Sequence, residues 1–464
     1  MRINLFVYSL LATPYSLNQL IIAYYIYITM LFTAIAIIFV LGYIAIALEH
    51  PIKTNKAATS LFLGTILWLI WFKYQGYLAG EDGIKQASAE LLHNFEELQI
   101  LFFLIGAMAI ACIIDINDGF SIITSRIKTN NTQVLMWILS WIAFIFSSFL
   151  GNLTATIITL TLAHKFVSDT RKRLYFAGMI VIATNAGGAW SPIGDVTTTM
   201  LWIGGQVSAL SIIKTVLLPS LVCLMVPLIV LNFFVKGKVY EGSEPPPETL
   251  ETPRGERNLI FLVGVGGLLT VPLIRTFFHV PPYLAVFFIL GILWSVVEFL
   301  GRKYGRDVPN RLNIFYALQK IDMASVLFFA GILLAVGVLG TTGQLASFAK
   351  ILEDYVSKDH RIIVYLIGVL SAIVDNVPLV AATMKMYSLE MFPQDHFLWE
   401  FIAYCAGTGG SLLVIGSAAG VAAMGIDRNL TFGWFLRKIA PLAALGYTAG
   451  AIVYLIIRSL FVGG

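Results

Sequence analysis

From Ile3 to Leu48 the chain carries no charged side chain, and apolar runs of similar character recur to its end. About 18 such residues suffice for a helix that crosses a bilayer. Spans are marked at 26–48, 58–74 and 97–116, then a more polar pair of segments at 133–163, an interrupted span at 175–205 and another span at 212–235. They resume at 258–276, 283–299 and 322–340, followed by a second paired segment at 362–391, an interrupted span at 399–425 and a last span at 439–459. The pattern predicts an all-α polytopic membrane protein of about ten to eleven transmembrane helices. Between the two series, over 236–257, Pro245, Pro246 and Pro247 stand among Glu241, Glu244, Glu248 and Glu251. Such a composition builds no core and reads as a cytoplasmic linker. Residues 1–25 are set apart. Arg2 ahead of an apolar stretch is like a signal peptide, but no clear cleavage site follows, and Pro14 argues against one long helix. The preferred reading there is an extra span with a cytoplasmic N-terminus.

Composition narrows the class. Of the 464 residues 58% are hydrophobic and 12% charged, against about a quarter charged in a soluble domain. The net charge of +4 includes no basic stripe with interleaved aromatics, so no nucleic-acid partner is expected. There is no GxxxxGK[ST] loop for a nucleotide, no HExxH pair and no CxxC spacing, and Cys112, Cys223 and Cys405 lie far apart in apolar stretches. No cofactor is expected; the bilayer itself is the first partner.

The remaining charges orient the spans. Lys165, Arg171, Lys172 and Arg173 form one basic loop, Arg302, Lys303, Arg306, Arg311 and Lys320 a second, and Arg428, Arg437 and Lys438 a third. The region 78–97 is acidic, with Glu81, Asp82, Glu90, Glu96 and Glu97. If both paired segments are re-entrant hairpins, every basic loop falls on one face and the acidic region on the other. The positive-inside rule makes the basic face cytoplasmic.

The two series repeat a plan. Asn152 sits at the first hairpin tip in GNLTAT, and Asn376 at the second in DNVPLV. About forty residues on, each half has a glycine-rich break: Asn185 to Asp195 (NAGGAWSPIGD) and Gly407 to Ser417 (GTGGSLLVIGS). Both contain Gly-Gly and, after four residues, an Ile-Gly-bounded end. Each half crosses an odd number of times, so 26–235 and 258–461 are read as inverted repeats, a plan whose broken helices meet at a midplane site.

Asp195, inside the first break, and Asp375, at the second tip, are carboxylates at membrane depth. Each costs about 2.5–3.5 kcal/mol to insert, so each is retained where it pairs, binds a cation or takes a proton. A structural pairing is the plainer alternative. Asn152 and Asn376 suit turns, and their amide oxygens also suit a hard cation. Hydroxyls of Thr154, Ser191, Thr197 and Ser417 are further candidate ligands. A small hard cation is therefore assigned to Asp375, Asp195, Asn152 and Asn376, Na+ if the family resemblance given next holds. His93 and Glu97, one helical turn apart at the start of the third marked span, are candidates for pH sensing or surface anchoring.

These residues also carry a resemblance. Leu41 to Pro51 (LGYIAIALEHP), Gly151 to Thr156, Asn185 to Gly205 (NAGGAWSPIGDVTTTMLWIGG) and Ser371 to Ala382 (SAIVDNVPLVAA) resemble the NhaD-type sodium/proton antiporters of the ion transporter superfamily. The likeness runs from about residue 30 to the C-terminus. It implies a homodimer with a static scaffold and a mobile unit of hairpins and broken helices. It implies exchange of Na+ or Li+ for H+, in a bacterial inner membrane or a plastid envelope. It also points to Asn185, Asp195, Thr197, Asp375 and Asn376 as residues needed for transport. Carboxylate-carrying relatives have an Asn-Thr pair at each tip, whereas here Leu153 separates Asn152 from Thr154, and Val377 and Pro378 follow Asn376.

The expected function is thus secondary Na+/H+ antiport by alternating access, with the two cations competing for shared oxygens. A sodium-coupled dicarboxylate or other anion carrier of the same superfamily is the nearest alternative. A passive channel would show conductance without coupling, and an intramembrane enzyme would need a nucleophile–base pair or metal cluster that is not evident.

Overall fold

The computed structural model describes residues 17–95, 99–239, 252–304 and 309–461. Its main helices are α1 (Leu17–Ala47), α2 (Lys56–Phe95), α3 (Gln99–Ile116), α4 (Thr132–Leu150), α5 (Asn152–Phe166), α6 (Thr170–Ala189), α7 (Val196–Ile203), α8 (Ala209–Phe234) and α9 (Arg254–Phe278). They continue with α10 (Pro282–Arg302), α11 (Met323–Thr341), α12 (Gln344–Tyr355), α13 (His360–Leu370), α14 (Asn376–Met386), α15 (Phe397–Gly409), α16 (Ala418–Ile426), α17 (Phe432–Lys438) and α18 (Ala440–Phe461). Among the described residues the only β-type pairing is an isolated bridge between Asn131 and Lys238. Among the described residues eight stretches are long and apolar enough to cross a membrane. One of them, Lys56–Ile116, contains both α2 and α3, and the interrupted pairs α6–α7 and α15–α16 add crossings that no single helix makes. The chain is a multi-pass membrane protein.

The helices form two compact units, Met1–Leu101 with Met323–Val356 and Ala381–Ser388, and the remainder of the chain. In the first unit α2 doubles back at Gly80, whose φ of 60° and ψ of −132° suit glycine alone. Trp71 before the bend donates to Glu90 Oε2 beyond it at 2.7 Å. The acidic stretch that sequence places between spans is therefore largely a helical return arm. Trp68 Nε1 docks this helix onto α11 through the Leu334 carbonyl at 3.0 Å.

Two boundaries differ from the sequence reading. Residues 17–25 begin α1 rather than a separate segment; residues 1–16, with Pro14, lie outside the described residues. The linker is shorter at its far end, where Pro253 caps α9 and helix begins at Arg254. Residues 240–251 lie outside the described residues.

In the second unit the two ends of each paired segment lie together. Thr132 N–H donates to the Gly237 carbonyl at 3.0 Å, and Val239 N–H to the Asn130 carbonyl at 3.0 Å, at the entry to α4. At the exit from α5, Ser168 Oγ donates to the Val239 carbonyl at 3.4 Å and Lys172 Nζ to the Lys238 carbonyl at 2.7 Å. One short strip thus meets both feet of the first hairpin. In the second, His360 at the start of α13 sits edge-on to Phe392, beyond α14, at 5.1 Å.

The two interrupted helices run antiparallel, start against end. Asp395, before α15, accepts from Ser208 N–H at 2.6 Å and donates its own N–H to the Gln206 carbonyl at 2.9 Å, just past α7. Asp427, after α16, accepts from Arg173 Nε at 2.7 Å, at the start of α6. The hairpin feet therefore lie at opposite ends, which is the inverted-repeat plan. Burial disfavours a charge on Asp427, but the Arg173 guanidinium and the Asn429 N–H together hold its carboxyl below the usual range. The ion pair accordingly persists at neutral pH and weakens only as pH falls through that lowered value.

Single cysteines test the inversion in a background without the three native ones. Arg171→Cys and Arg428→Cys should react with an impermeant maleimide from the cytoplasmic face only, and Gly204→Cys and Gln394→Cys from the other. Labelling of positions 171 and 394 from one face would refute it.

Candidate functional site

Each hairpin tip and each break has a local cause. Gly151, at φ 85°, reverses the chain between α4 and α5. Asn152 then opens α5. The second tip turns without glycine, over Ser371 to Asp375, and Asp375 Oδ1 accepts from Val377 N–H at 3.3 Å. Helix α6 stops at Ala189, ahead of Pro192, which has no N–H to continue it. Gly194 N–H closes the break by donating to the Ser191 carbonyl at 3.1 Å. The half-helices beyond the breaks start with side-chain caps: Asp195 Oδ1 accepts from Val196 N–H at 2.8 Å, and Ser417 Oγ from Gly420 N–H at 3.3 Å.

Matched contacts establish the repeat in three dimensions. Ser147 Oγ donates to the Thr184 carbonyl at 2.5 Å, and Ser371 Oγ to the Ala406 carbonyl at 3.0 Å. Gly187 lies against the backbone of Phe144 and Gly409 against that of Gly368, with no room for a Cβ at either. The same spacing carries Asn152 onto Asn376 and Asp195 onto Ser417.

The centre is built across the repeats. Asp195 is 2% exposed. Its Oδ2 accepts from Thr197 Oγ1 at 2.8 Å and from Asn376 Nδ2, at the opposite tip, at 2.9 Å. On the other side Asn152 Nδ2 donates to Asn185 Oδ1 at 3.1 Å, and Asn185 Nδ2 to Ser417 Oγ, in the opposite break, at 2.9 Å. Each tip asparagine is thereby linked to the cap of the other repeat. Both tips spend their amide N–H groups here, which leaves their amide oxygens for a cation. Among the described residues Asp195 has no basic partner. The half-buried Asp375 carboxylate is near enough to repel it.

Of the residues singled out from sequence, Asn152, Asn185, Asp195, Thr197, Asn376 and Ser417 meet in this net. Thr154 and Ser191 lie outside it; the Ser191 hydroxyl instead accepts from Ile193 N–H at 3.4 Å, within the turn. Asp375 sits beside a tip whose asparagine faces the break of the other repeat, not its own. His93 ends the return arm of α2 and is exposed, so it does not open the third span; Glu97 lies outside the described residues. Thr156 and Thr184 were not anticipated: their hydroxyls meet at 2.9 Å, and Thr156 also donates to the Asn152 carbonyl at 2.7 Å. The available signal was phase, since Thr156 lies one turn beyond Asn152 on α5.

Comparison with known proteins agrees with this architecture. A family model described as a citrate transporter (CitMHS) matches residues 20–400. Sodium/proton antiporter 2 of Arabidopsis thaliana is 39% identical, covering 91% of this chain and 99% of its own, and sodium/proton antiporter 1 of that plant is 42% identical over 92% and 73%. The Na(+)/H(+) antiporter NhaD of Vibrio cholerae is 30% identical over 92% and 91%. The chain belongs to the NhaD-type antiporter family. The fold is shared more widely: the crystal structure of the Alcanivorax borkumensis YdaH transporter, described as having an unusual topology, superposes with a TM-score of 0.56 at 12% identity, covering 86% of this chain and 98% of that one.

The close approach at the first break is testable. A Cβ on Gly188 would lie 2.9 Å from Asp195 Cβ and 3.2 Å from Ser147 Oγ, whereas one on Gly266 of α9 would meet open space. Gly188→Ala should lower stability by about 1–3 kcal/mol, read as thermal unfolding in detergent. Gly266→Ala should leave the melting curve unchanged.

Proposed function

We propose that the protein exchanges Na+ or Li+ for H+ across its membrane by alternating access, with Asp195 as the shared ligand. The observation that carries this reading is a buried carboxylate without a basic partner, held where the breaks and tips of both repeats converge. A hard cation is satisfied by carboxylate, amide and hydroxyl oxygens. Asp195, Asn152, Asn376 and the surrounding hydroxyls supply that set, and Asp375 adds a second negative charge nearby. Sodium needs the Asp195 carboxyl unprotonated; a proton there removes the charge that holds the ion. The relatives named as sodium/proton antiporters support the same exchange.

The family model's description as a citrate transporter keeps a dicarboxylate carrier as the second reading. Against it stands the charge of the centre: an anionic substrate would meet Asp195 and Asp375 rather than a cationic clamp. We further propose a homodimer in a bacterial inner membrane, with a plastid envelope as the alternative; relatives from both bacteria and a plant support these settings.

Competition makes a quantitative prediction in inside-out vesicles with a pH-sensitive dye. The half-saturating Na+ concentration should fall by up to about tenfold per unit rise in pH wherever protons compete for the site. Asp195→Asn should insert normally and abolish most exchange, since an amide cycles no proton, while Asp195→Glu retains more. Asp375→Asn should also impair exchange, and Asn376→Ala should raise the half-saturating Na+ concentration. Wild-type-like exchange in both asparagine variants at matched abundance would rule out the shared site. Succinate or citrate uptake without sodium-driven proton movement would favour the carrier reading.

A further inference from the structure

Two polar clusters lie outside the central net, one at each end of the antiparallel broken helices. At one end Arg173, in the first turn of α6, pairs with the buried Asp427, and His164 Nε2 lies 3.4 Å from the same carboxylate oxygen. Arg173 Nη1 also reaches the Val167 carbonyl at 3.4 Å. At the other end Glu400, in the first turn of α15, is fully buried. Its Oε1 accepts from Ser211 Oγ at 2.5 Å, and its Oε2 from the Tyr454 hydroxyl and Arg458 Nη1, each at 3.1 Å. Arg458 Nη2 continues to the Asp395 carbonyl at 3.1 Å, whose side chain holds Ser208.

Both clusters join one repeat to the other. His164, Arg173, Ser208 and Ser211 come from the first; Asp395, Glu400, Asp427 and Arg458 come from the second. Glu400 has three side-chain donors, one of them its ion-pair partner Arg458, so removing Arg458 would strand a buried charge. The central bonds Asn376–Asp195 and Asn185–Ser417, both 2.9 Å, also run between repeats and depend on their register. A small slide of one broken helix along the other would open both.

We infer that Arg173–Asp427 and Glu400–Arg458 are positioning pairs for the exchange reaction: they clasp the two repeats at the register in which Na+ and H+ share one set of oxygens. Loosening either clasp separates proton movement from sodium movement. The inference rests on the antiport reading proposed above.

The test compares purified wild type, Arg173→Gln, Arg173→Lys and Glu400→Gln in proteoliposomes. In the glutamine variants the maximal exchange rate should fall about tenfold, and the half-saturating Na+ concentration should rise as the shared oxygens leave register. A pH gradient across sodium-free liposomes should decay faster than with wild type, a leak that mere loss of folded protein does not produce. Arg173→Lys, which keeps the charge, should restore part of the coupling. Should Glu400→Gln fail to accumulate, Ser211→Ala removes one donor and no charge at the same end and carries the same readout. Variants with wild-type turnover and no added leak, or with only a lower melting temperature, would overturn the clasp while leaving antiport standing. A wild type without sodium-driven proton movement would overturn both.

Discussion

A helix interrupted inside a bilayer exposes backbone N–H and C=O groups that lipid cannot satisfy. The rest of this structure follows from how those groups are covered. Each break has its own turn, but its cap and the adjoining hairpin tip are completed from the other repeat. Asp195 is held by Asn376, and Ser417 by Asn185. Neither repeat could bury its break alone, so the inverted pair is a requirement of solvation as much as a record of duplication.

That requirement places the chemistry. Equivalent positions carry Asp195 in one repeat and Ser417 in the other, so an otherwise matched frame has a charge on one side only. That asymmetry is what the proposed cation site rests on, with hydroxyl and amide neighbours around a single buried acid. The capping role of Asp195 and its proposed ligand role are compatible, because Oδ1 holds the helix start while Oδ2 faces the centre.

The charged residues at the ends have a different task from those in the middle. Arg173 with Asp427, and Glu400 with Arg458, are ion pairs with their partners in place, and such groups are fixed rather than labile. Asp195 lacks a basic partner among the described residues, which is the condition under which a carboxylate exchanges one cation for another. The contrast separates paired from unpaired buried acids within a single helical unit.

Much of this was legible in the chain itself. Long apolar runs, the breakers at Gly187, Gly188 and Pro192, the acid or amide at each tip and the sign of the loops are local properties, and they determine spans, hairpins and repeat without reference to packing. What sequence could not decide was which polar group meets which. Thr156 rather than Thr154 joins the net because the phase of α5 is set by its packing. The acidic segment returns along α2 because Gly80 adopts a positive φ that composition does not announce. Glu400 in FLWEFIAY has no charged neighbour in the sequence, and only α8 and α18 bring Ser211, Tyr454 and Arg458 to it. Above all, Asn376 reaches the break of the other repeat, 181 residues away in the chain. Spans and breakers are written locally because lipid acts on each segment separately. The partners are decided only in three dimensions, because each repeat satisfies the buried polar groups of the other.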